Sequence, residues 1–336
     1  MEGRGPGGAH EPFSPHGRGP RGGPAASGGG AGSGEGDGNS VRSGNGAAPR
    51  DPLAAAPAAE LPADNPIKPG PVGRGMPIGV RARGGVLCVT LERPERLNAI
   101  DPEMHADLVR AWIRLRDDDR LRVGLLDGAG SKAFSAGIDL KRLDDFYAEG
   151  RPGERRSRWQ REPGLGGLTR NFDPGKPVVA AINGLCLGLG LELALACDLR
   201  WASPNATFGL PEVRWGIIPG QGGTQRLPRA LPPNVALEMM LTGAPISAAR
   251  AYELGLINRI VPLERLRAEA GAVAARIAEL PPRAVRTARE SVRRGLDLSL
   301  ADGLALELDL ADPLRGSPEN AKAVAAFGRK GTPRLG

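Results

Sequence analysis

Cysteine is scarce in this 336-residue chain. Cys88, Cys186 and Cys197 sit in apolar runs with no CxxC spacing, which excludes a disulfide framework or a zinc ribbon and points to a reducing compartment, the cytoplasm. Histidine is scarcer in effect, because His10 and His16 lie near the N-terminus and leave His105 alone in the rest. A His-based metal site or catalytic triad therefore has little to draw on, and no metal is expected. Aromatic residues make up 4%, too few for the stacking platforms of single-strand nucleic-acid binders. No apolar run reaches the roughly 18–20 residues that a membrane span needs.

Glycine, by contrast, is abundant and uneven. It makes up about a third of the first 50 residues, and Phe13 is the only aromatic before Pro66. Such a segment buries too little apolar surface to offset its ordering entropy, so residues 1–75 are expected to form a disordered Gly/Pro-rich tail. A transit peptide is the rival reading, but Glu2, Glu11 and Glu35 argue against an acid-poor presequence. Through Pro66 the tail holds five Arg against seven acids, so the net charge of +7 belongs to the rest of the chain. That basic body could meet an anion or nucleic acid, with Arg151, Arg155, Arg156, Arg158 and Arg161 as the densest cluster. A solvated Arg-rich surface is the preferred explanation of the charge, and no recognised nucleic-acid module is present.

The body alternates strand and helix signals. Val86–Leu91, Val123–Leu126 and residues 177–182 read as strands, and 198–202 and 206–209 as shorter ones. Asp101 reads as an N-cap, followed by Pro102 and by Met104, Leu108, Ala111, Trp112 and Leu115 at helical spacing. Residues 127–130 read as a turn, and 150–175 as a mobile loop region. Ser247 can cap a helix that Gly255 ends, and further helices fit 263–279, 281–294, 299–311 and 317–328. The fold class is α/β, with a core over 76–260 and a helical portion over 261–336.

Within the apolar run Leu185–Cys197 the one polar side chain is Glu192. A helix that apolar is buried, and an unpaired carboxylate there is costly or carries a raised pKa. Pairing with a buried Arg or with backbone donors is the alternative to a functional role. The turn Gly188-Leu-Gly190 before it lacks the third glycine of a dinucleotide fingerprint, and Gly128-Ala-Gly-Ser-Lys132 lacks P-loop spacing. What remains is a helix N-terminus with free backbone N–H groups, and Ala136-Gly137-Ile138 offers a second such turn. Together the two could form an oxyanion hole. A second carboxylate, Glu212, has apolar neighbours and lies before the tight backbone of Gly220-Gln-Gly-Gly223.

These residues carry a resemblance to the enoyl-CoA hydratase/isomerase (crotonase) superfamily. The matching pieces are Arg93-Pro-Glu-Arg-Leu-Asn-Ala99, Ala133-Phe-Ser-Ala-Gly-Ile-Asp-Leu-Lys141 and Lys176-Pro-Val-Val-Ala-Ala-Ile-Asn-Gly184. They continue through Gly188-Leu-Gly-Leu-Glu-Leu-Ala-Leu-Ala-Cys-Asp198, Leu210-Pro-Glu212, Gly216-Ile-Ile-Pro-Gly-Gln-Gly-Gly-Thr-Gln-Arg226 and Ala325-Ala-Phe-Gly-Arg-Lys330. The match runs collinearly over about residues 78–336 and leaves the tail uncovered.

The resemblance implies a ClpP/crotonase spiral of repeated ββα units with a C-terminal helical portion that builds trimers, often paired as hexamers. It implies an acyl-CoA thioester substrate and no metal or redox cofactor. It puts the oxyanion-hole amides at Ile138 and Leu189 and places Ala136, Ile138, Asp139, Leu140, Lys141, Leu189 and Pro211 along the substrate and its CoA. Leu189 departs from the family's usual Gly, so a bulky side chain is expected to alter the acyl pocket. Hydratase members carry two glutamates, matched here by Glu192 and Glu212, whereas isomerases typically keep the second. Glu192 is assigned to water and Glu212 to protonation at C2. A double-bond isomerase, a dehydratase of a polar acyl-CoA and an RNA-binding or scaffold member are the alternatives. The segment from Lys141 to Lys176 is longer than in short-chain hydratases. Residues 166–172 and 227–233 look somewhat like carnitinyl-CoA dehydratase relatives.

Overall fold

The computed structural model describes residues 77–147 and 152–330. The expected tail over 1–75, and Arg151 of the basic cluster, lie outside the described residues.

Among the described residues ten strands form two sheets. They are β1 (Ile78–Arg83), β2 (Val86–Leu91), β3 (Val123–Gly128), β4 (Ala133–Ser135), β5 (Val178–Ile182), β6 (Leu185–Leu187), β7 (Leu199–Ala202), β8 (Thr207–Gly209), β9 (Ile246–Ser247) and β10 (Arg259–Ile260). The larger sheet has the order β1-β2-β3-β5-β7-β10, and the smaller β4-β6-β8-β9. Every neighbouring pair is parallel except β1–β2 and β8–β9.

The helices are α1 (Pro102–Asp117), α2 (Leu143–Tyr147), α3 (Pro152–Trp159), α4 (Leu189–Ala196), α5 (Gly223–Ala230), α6 (Pro233–Thr242), α7 (Ala248–Glu253), α8 (Leu263–Glu279), α9 (Pro282–Gly295), α10 (Leu300–Ala311) and α11 (Pro318–Lys330). One unit therefore recurs three times: a strand of the large sheet, a strand of the small sheet, then a helix. The series is β3-β4-α2, β5-β6-α4 and β7-β8-α5, the ββα spiral that the resemblance implies.

The parallel strands are apolar on both faces because both faces are covered. Val178, Ala180 and Ile182 of β5 enter the main core, whereas Val179 and Ala181 face the opposite side. There α8 lays Leu266, Ala270, Ala274 and Ala278 against Val86, Val123, Leu125 and Trp201. The packing thus runs through the expected boundary at residue 260, since α8 covers the sheet. The helix α1 buries the five residues its spacing marks, and the Asp101 side chain accepts a 2.8 Å hydrogen bond from Met104 N. Such a cap contributes about 1 kcal/mol.

The helix expected from about Leu189 forms there as α4, and residues 185–187 before it form β6, a strand the sequence did not mark. Two expectations need correction. Residues 150–175 include α3, whose polar composition hides a helix. Asp127 and Gly128 extend β3 rather than turning, because they pair with Thr90 and Leu91 of β2.

Candidate active site

The site gathers where α4 starts. Gly188 caps this helix with φ +53°, and the amide of Leu189 opens its first turn. Facing it is the turn after β4, in which Gly137 has φ +100°. A Cβ on Gly137 would lie 2.8 Å from Leu187 O and 3.2 Å from Leu189 N, which measures how closely the two turns approach. The next residue, Ile138, bridges to Ile100 through the amides and carbonyls on either side of it: Ile100 N donates to Gly137 O, and Asp139 N to Ile100 O. Its own amide is left over. Among the described residues neither Ile138 N nor Leu189 N donates a hydrogen bond. Two unsatisfied donors side by side, with a helix dipole behind one of them, suit a developing oxyanion.

The side chain of Leu189 is buried in the main core and 4% exposed. Its bulk therefore packs among core residues at the start of α4. Gly190 cannot carry a side chain, because a Cβ there would strike the Ser135 carbonyl.

Glu192 lies one turn further along α4 and is 2% exposed. Among the described residues no Arg forms a salt bridge with it. Its Oε1 instead accepts hydrogen bonds from Gln221 N at 2.7 Å and Gly223 N at 2.9 Å. Burial raises its pKa, while those two amides and the nearby Arg226 and Arg170 hold the rise back. Gly223 has to be glycine for this approach, since a Cβ would sit 2.7 Å from Pro219 Cβ. The tight backbone after Glu212 thus serves Glu192.

Glu212 follows β8, just beyond Pro211. A Cβ built on Gly188 would meet its Oε1 at 3.2 Å, so the carboxyl hangs over the cap of α4. Its Oε2 is buried with no hydrogen-bond partner. Burial pushes the Glu212 carboxyl up to about 7, against the pull of its own backbone amide, and the charge of Glu192 adds to the rise.

Asp139 is engaged in structure as much as it is available to a substrate. Arg93 donates to it at 3.0 Å, pairs with Asp101 at 2.9 Å and donates to Ala99 O at 2.7 Å. The Asn98 side chain accepts from Arg93 N and donates to Ala129 O and Ala133 O. This network fixes the loop that carries Ile138. Leu140 is 46% exposed and Lys141 is exposed, and Ala136 and Pro211 are partly buried. The structure thus brings Ile138, Leu189, Glu192 and Glu212 together and leaves Leu140 and Lys141 on the surface.

The loop over 164–170 lies in the stretch read as a loop region, but its contacts with the Glu192 cradle were not marked by the sequence. The side chain of Gln221 accepts from Leu165 N and Thr169 Oγ1, both at 3.1 Å. Arg226 donates to Thr169 O at 2.9 Å, and Arg170 donates to Gly220 O. These bonds pin the cradle of Glu192 in place. Among the described residues no group of three or more His, Cys, Asp and Glu is placed to hold a metal ion.

A family model described as enoyl-CoA hydratase/isomerase matches residues 81–335. The chain belongs to this family. It is 40% identical to an (E)-benzylidenesuccinyl-CoA hydratase of Thauera aromatica over 266 residues, 77% of this chain and 98% of the relative. It is 42% identical to a carnitinyl-CoA dehydratase of Proteus mirabilis, over 67% of this chain and 83% of the relative. An enoyl-CoA hydratase structure from Bacillus anthracis superposes with a TM-score of 0.68 at 35% identity, covering 76% of this chain and 98% of the other. These likenesses support a hydro-lyase of the crotonase type, and the family implies an acyl-CoA thioester substrate. No helix among the described residues is long and apolar enough to cross a membrane.

Proposed function

We propose that this hydro-lyase adds water across the C2=C3 bond of a 2-enoyl-CoA thioester, or removes it in reverse. The observation that carries the reading is the pair of carboxylates flanking one free amide. Glu192 rises from the first turn of α4, Glu212 hangs over its cap, and the Leu189 N–H opens that same turn.

The roles follow from the environments. The two amides on Glu192 Oε1 favour its charged form, so Glu192 takes a proton from the water that attacks C3. The thioester oxygen gains negative charge, which the Ile138 and Leu189 amides hold. Glu212, uncharged up to about pH 7, gives its proton to C2. One proton has entered Glu192 and one has left Glu212, so a single transfer through solvent resets the pair. Asp139, Leu140 and Lys141 lie along the CoA. The chemistry so drawn uses no metal or redox cofactor.

The test is loss of the conjugated enoyl-thioester absorbance when purified protein meets crotonoyl-CoA and longer 2-enoyl-CoAs. Catalysed loss is the expected result. Measurable thioester binding with no loss on any enoyl-CoA, and no dehydration of any 3-hydroxyacyl-CoA, would overturn the reading.

The named relatives act on acyl groups that are not plain short chains, an aryl-substituted diacid in one and carnitine in the other. That supports a substituted acyl group here. The three cysteines are free and two are buried, which supports placing the enzyme in the reducing cytoplasm.

The enzyme is further proposed to be a homotrimer, paired as a hexamer. Leu300, Leu304 and Leu308 recur every fourth residue along α10 and are 81%, 55% and 58% exposed. With Val292 and Leu296 they make an apolar stripe of the kind that a partner covers. Sedimentation velocity should show an assembly, and Leu304→Asp with Leu308→Asp should reduce it to monomers. A monomeric parent protein would refute the assembly.

A further inference from the structure

A cavity of about 200 Å³ lies behind the Gln221 cradle of Glu192 with no role yet assigned. Its walls come from the start of α1, from α2 and α3, and from the chain leading into the 164–170 loop. Gln221 links it to the chemistry: its side chain lines the cavity, and its amide donates to Glu192 Oε1 at 2.7 Å. Pockets that hold a whole drug-sized ligand measure about 300–1,000 Å³. This one is too small for CoA but fits the far end of an acyl group.

Its lining is unusual for this chain. Only 4% of the residues are aromatic, yet Phe146 and Trp159 both line this cavity, together with the single histidine of the body. The His105 and Phe146 rings stand 6.3 Å apart and tilted by 56°. His105 Nδ1 is buried and has no hydrogen-bond partner. Burial also lowers the pKa of His105, so the ring is uncharged at neutral pH. The charged lining residues Asp145, Glu162 and Arg170 are all exposed and make the rim. The inner wall therefore carries two aromatic rings and an uncharged imidazole whose Nδ1 is unsatisfied, with Gln221 beside them.

We infer that the cavity receives an aromatic ring carried by the acyl group, so that the substrate class is aryl-substituted acyl-CoA thioesters. Phe146 and Trp159 pack against the ring, and His105 Nδ1 meets a polar substituent on it. The inference rests on the hydro-lyase reading for its substrate, but the cavity can be tested without any turnover.

The probes are 3-phenylpropanoyl-CoA and hexanoyl-CoA. Neither has the C2=C3 bond or the 3-hydroxyl that the reaction needs. Titration calorimetry on the full chain should find the phenyl compound about tenfold tighter, as two added aromatic contacts imply. Trp159→Leu should remove most of that preference, weakening the phenyl compound far more than hexanoyl-CoA. Trp159 is partly exposed on α3, so this variant avoids the folding risk of Phe146→Leu. Equal or tighter binding of hexanoyl-CoA would overturn the inference, as would no binding of either. So would tighter binding of 4-trimethylammoniobutanoyl-CoA, which would make the rings a cage for a cation.

Turnover separates the two claims. Dehydration of 3-hydroxy-3-phenylpropanoyl-CoA is the favourable direction, because the product double bond conjugates with the ring. An aryl preference in binding with no dehydration of any 3-hydroxyacyl-CoA would sink the hydro-lyase reading alone. Hydration of crotonoyl-CoA without an aryl preference would sink the cavity inference alone.

Discussion

Glu192→Gln is expected to lower turnover by about a hundred- to ten-thousand-fold, the range for removing a positioned acid or base. Thioester binding should persist, because the glutamine carbonyl can still accept from Gln221 N and Gly223 N. The variant therefore removes the proton-accepting charge and little else. Glu212→Gln should fall by a similar factor for the opposite reason, loss of the proton delivered to C2. The pH profile of the parent enzyme ties the two together. Hydration needs Glu212 protonated, so kcat/KM should decline as pH rises through about 7. It needs Glu192 charged, so the acid limb should fall above the ordinary glutamate range, since burial raises that group too. The pair titrates as a unit, and each limb belongs to both groups.

The same titration should show in stability. A carboxyl that titrates near 7 when folded and near 4.5 when unfolded binds more protons in the folded state between those values. Stability is then lost as pH rises across that window. Glu212→Gln should melt higher than the parent enzyme at pH 8 and show no such advantage at pH 4. Near-normal turnover in both glutamine variants would refute the two-carboxylate mechanism.

Much of this was legible in the sequence wherever burial leaves a periodic or polar mark. α1 announces itself by a cap and five apolar positions, all of which are buried. β5 reads as a strand because both its faces are covered, giving an unbroken β-branched and small run. Glu192 stands out because an apolar helix has one carboxylate. β6 did not show, because three residues inside an apolar run carry no period that separates strand from helix. It is a strand only because β4 and β8 flank it. The partners of Glu192 were hidden for a related reason. They are backbone amides 29 and 31 positions away, and a backbone N–H has no letter in the sequence. The glycines of residues 220–223 gave the one hint, a tight path beside a carboxylate. Arg93 was quoted as part of a motif, yet its tie to Asp139, 46 positions on, belongs to the fold. His105 carried no signal at all, since one histidine on a helix gives nothing to pair it with.

Gly137→Ala should be nearly as damaging as loss of a carboxylate, although it alters no reacting group. At φ +100° an L-residue is strained, and the added Cβ would lie 2.8 Å from Leu187 O. The turn cannot retreat freely. Gly137 N donates to Ser135 Oγ at 3.1 Å, Ala136 N to Leu97 O at 2.9 Å, and Ile100 N to Gly137 O at 2.8 Å. Relief of the clash must therefore separate Ile138 N from Leu189 N, the two donors that have to converge on one oxygen. Loss of one such donor lowers kcat by about a hundred- to a thousand-fold, and that is the expected loss here. Gly84→Ala supplies the comparison. Gly84 also has positive φ, +54°, but a Cβ there meets nothing within 4 Å and lies in the turn between β1 and β2. Both variants should melt lower than the parent enzyme through backbone strain, and only Gly137→Ala should lose turnover. If Gly137→Ala kept its turnover while melting lower, the paired amides would not be the oxyanion hole, and the enolate charge would have to be held elsewhere.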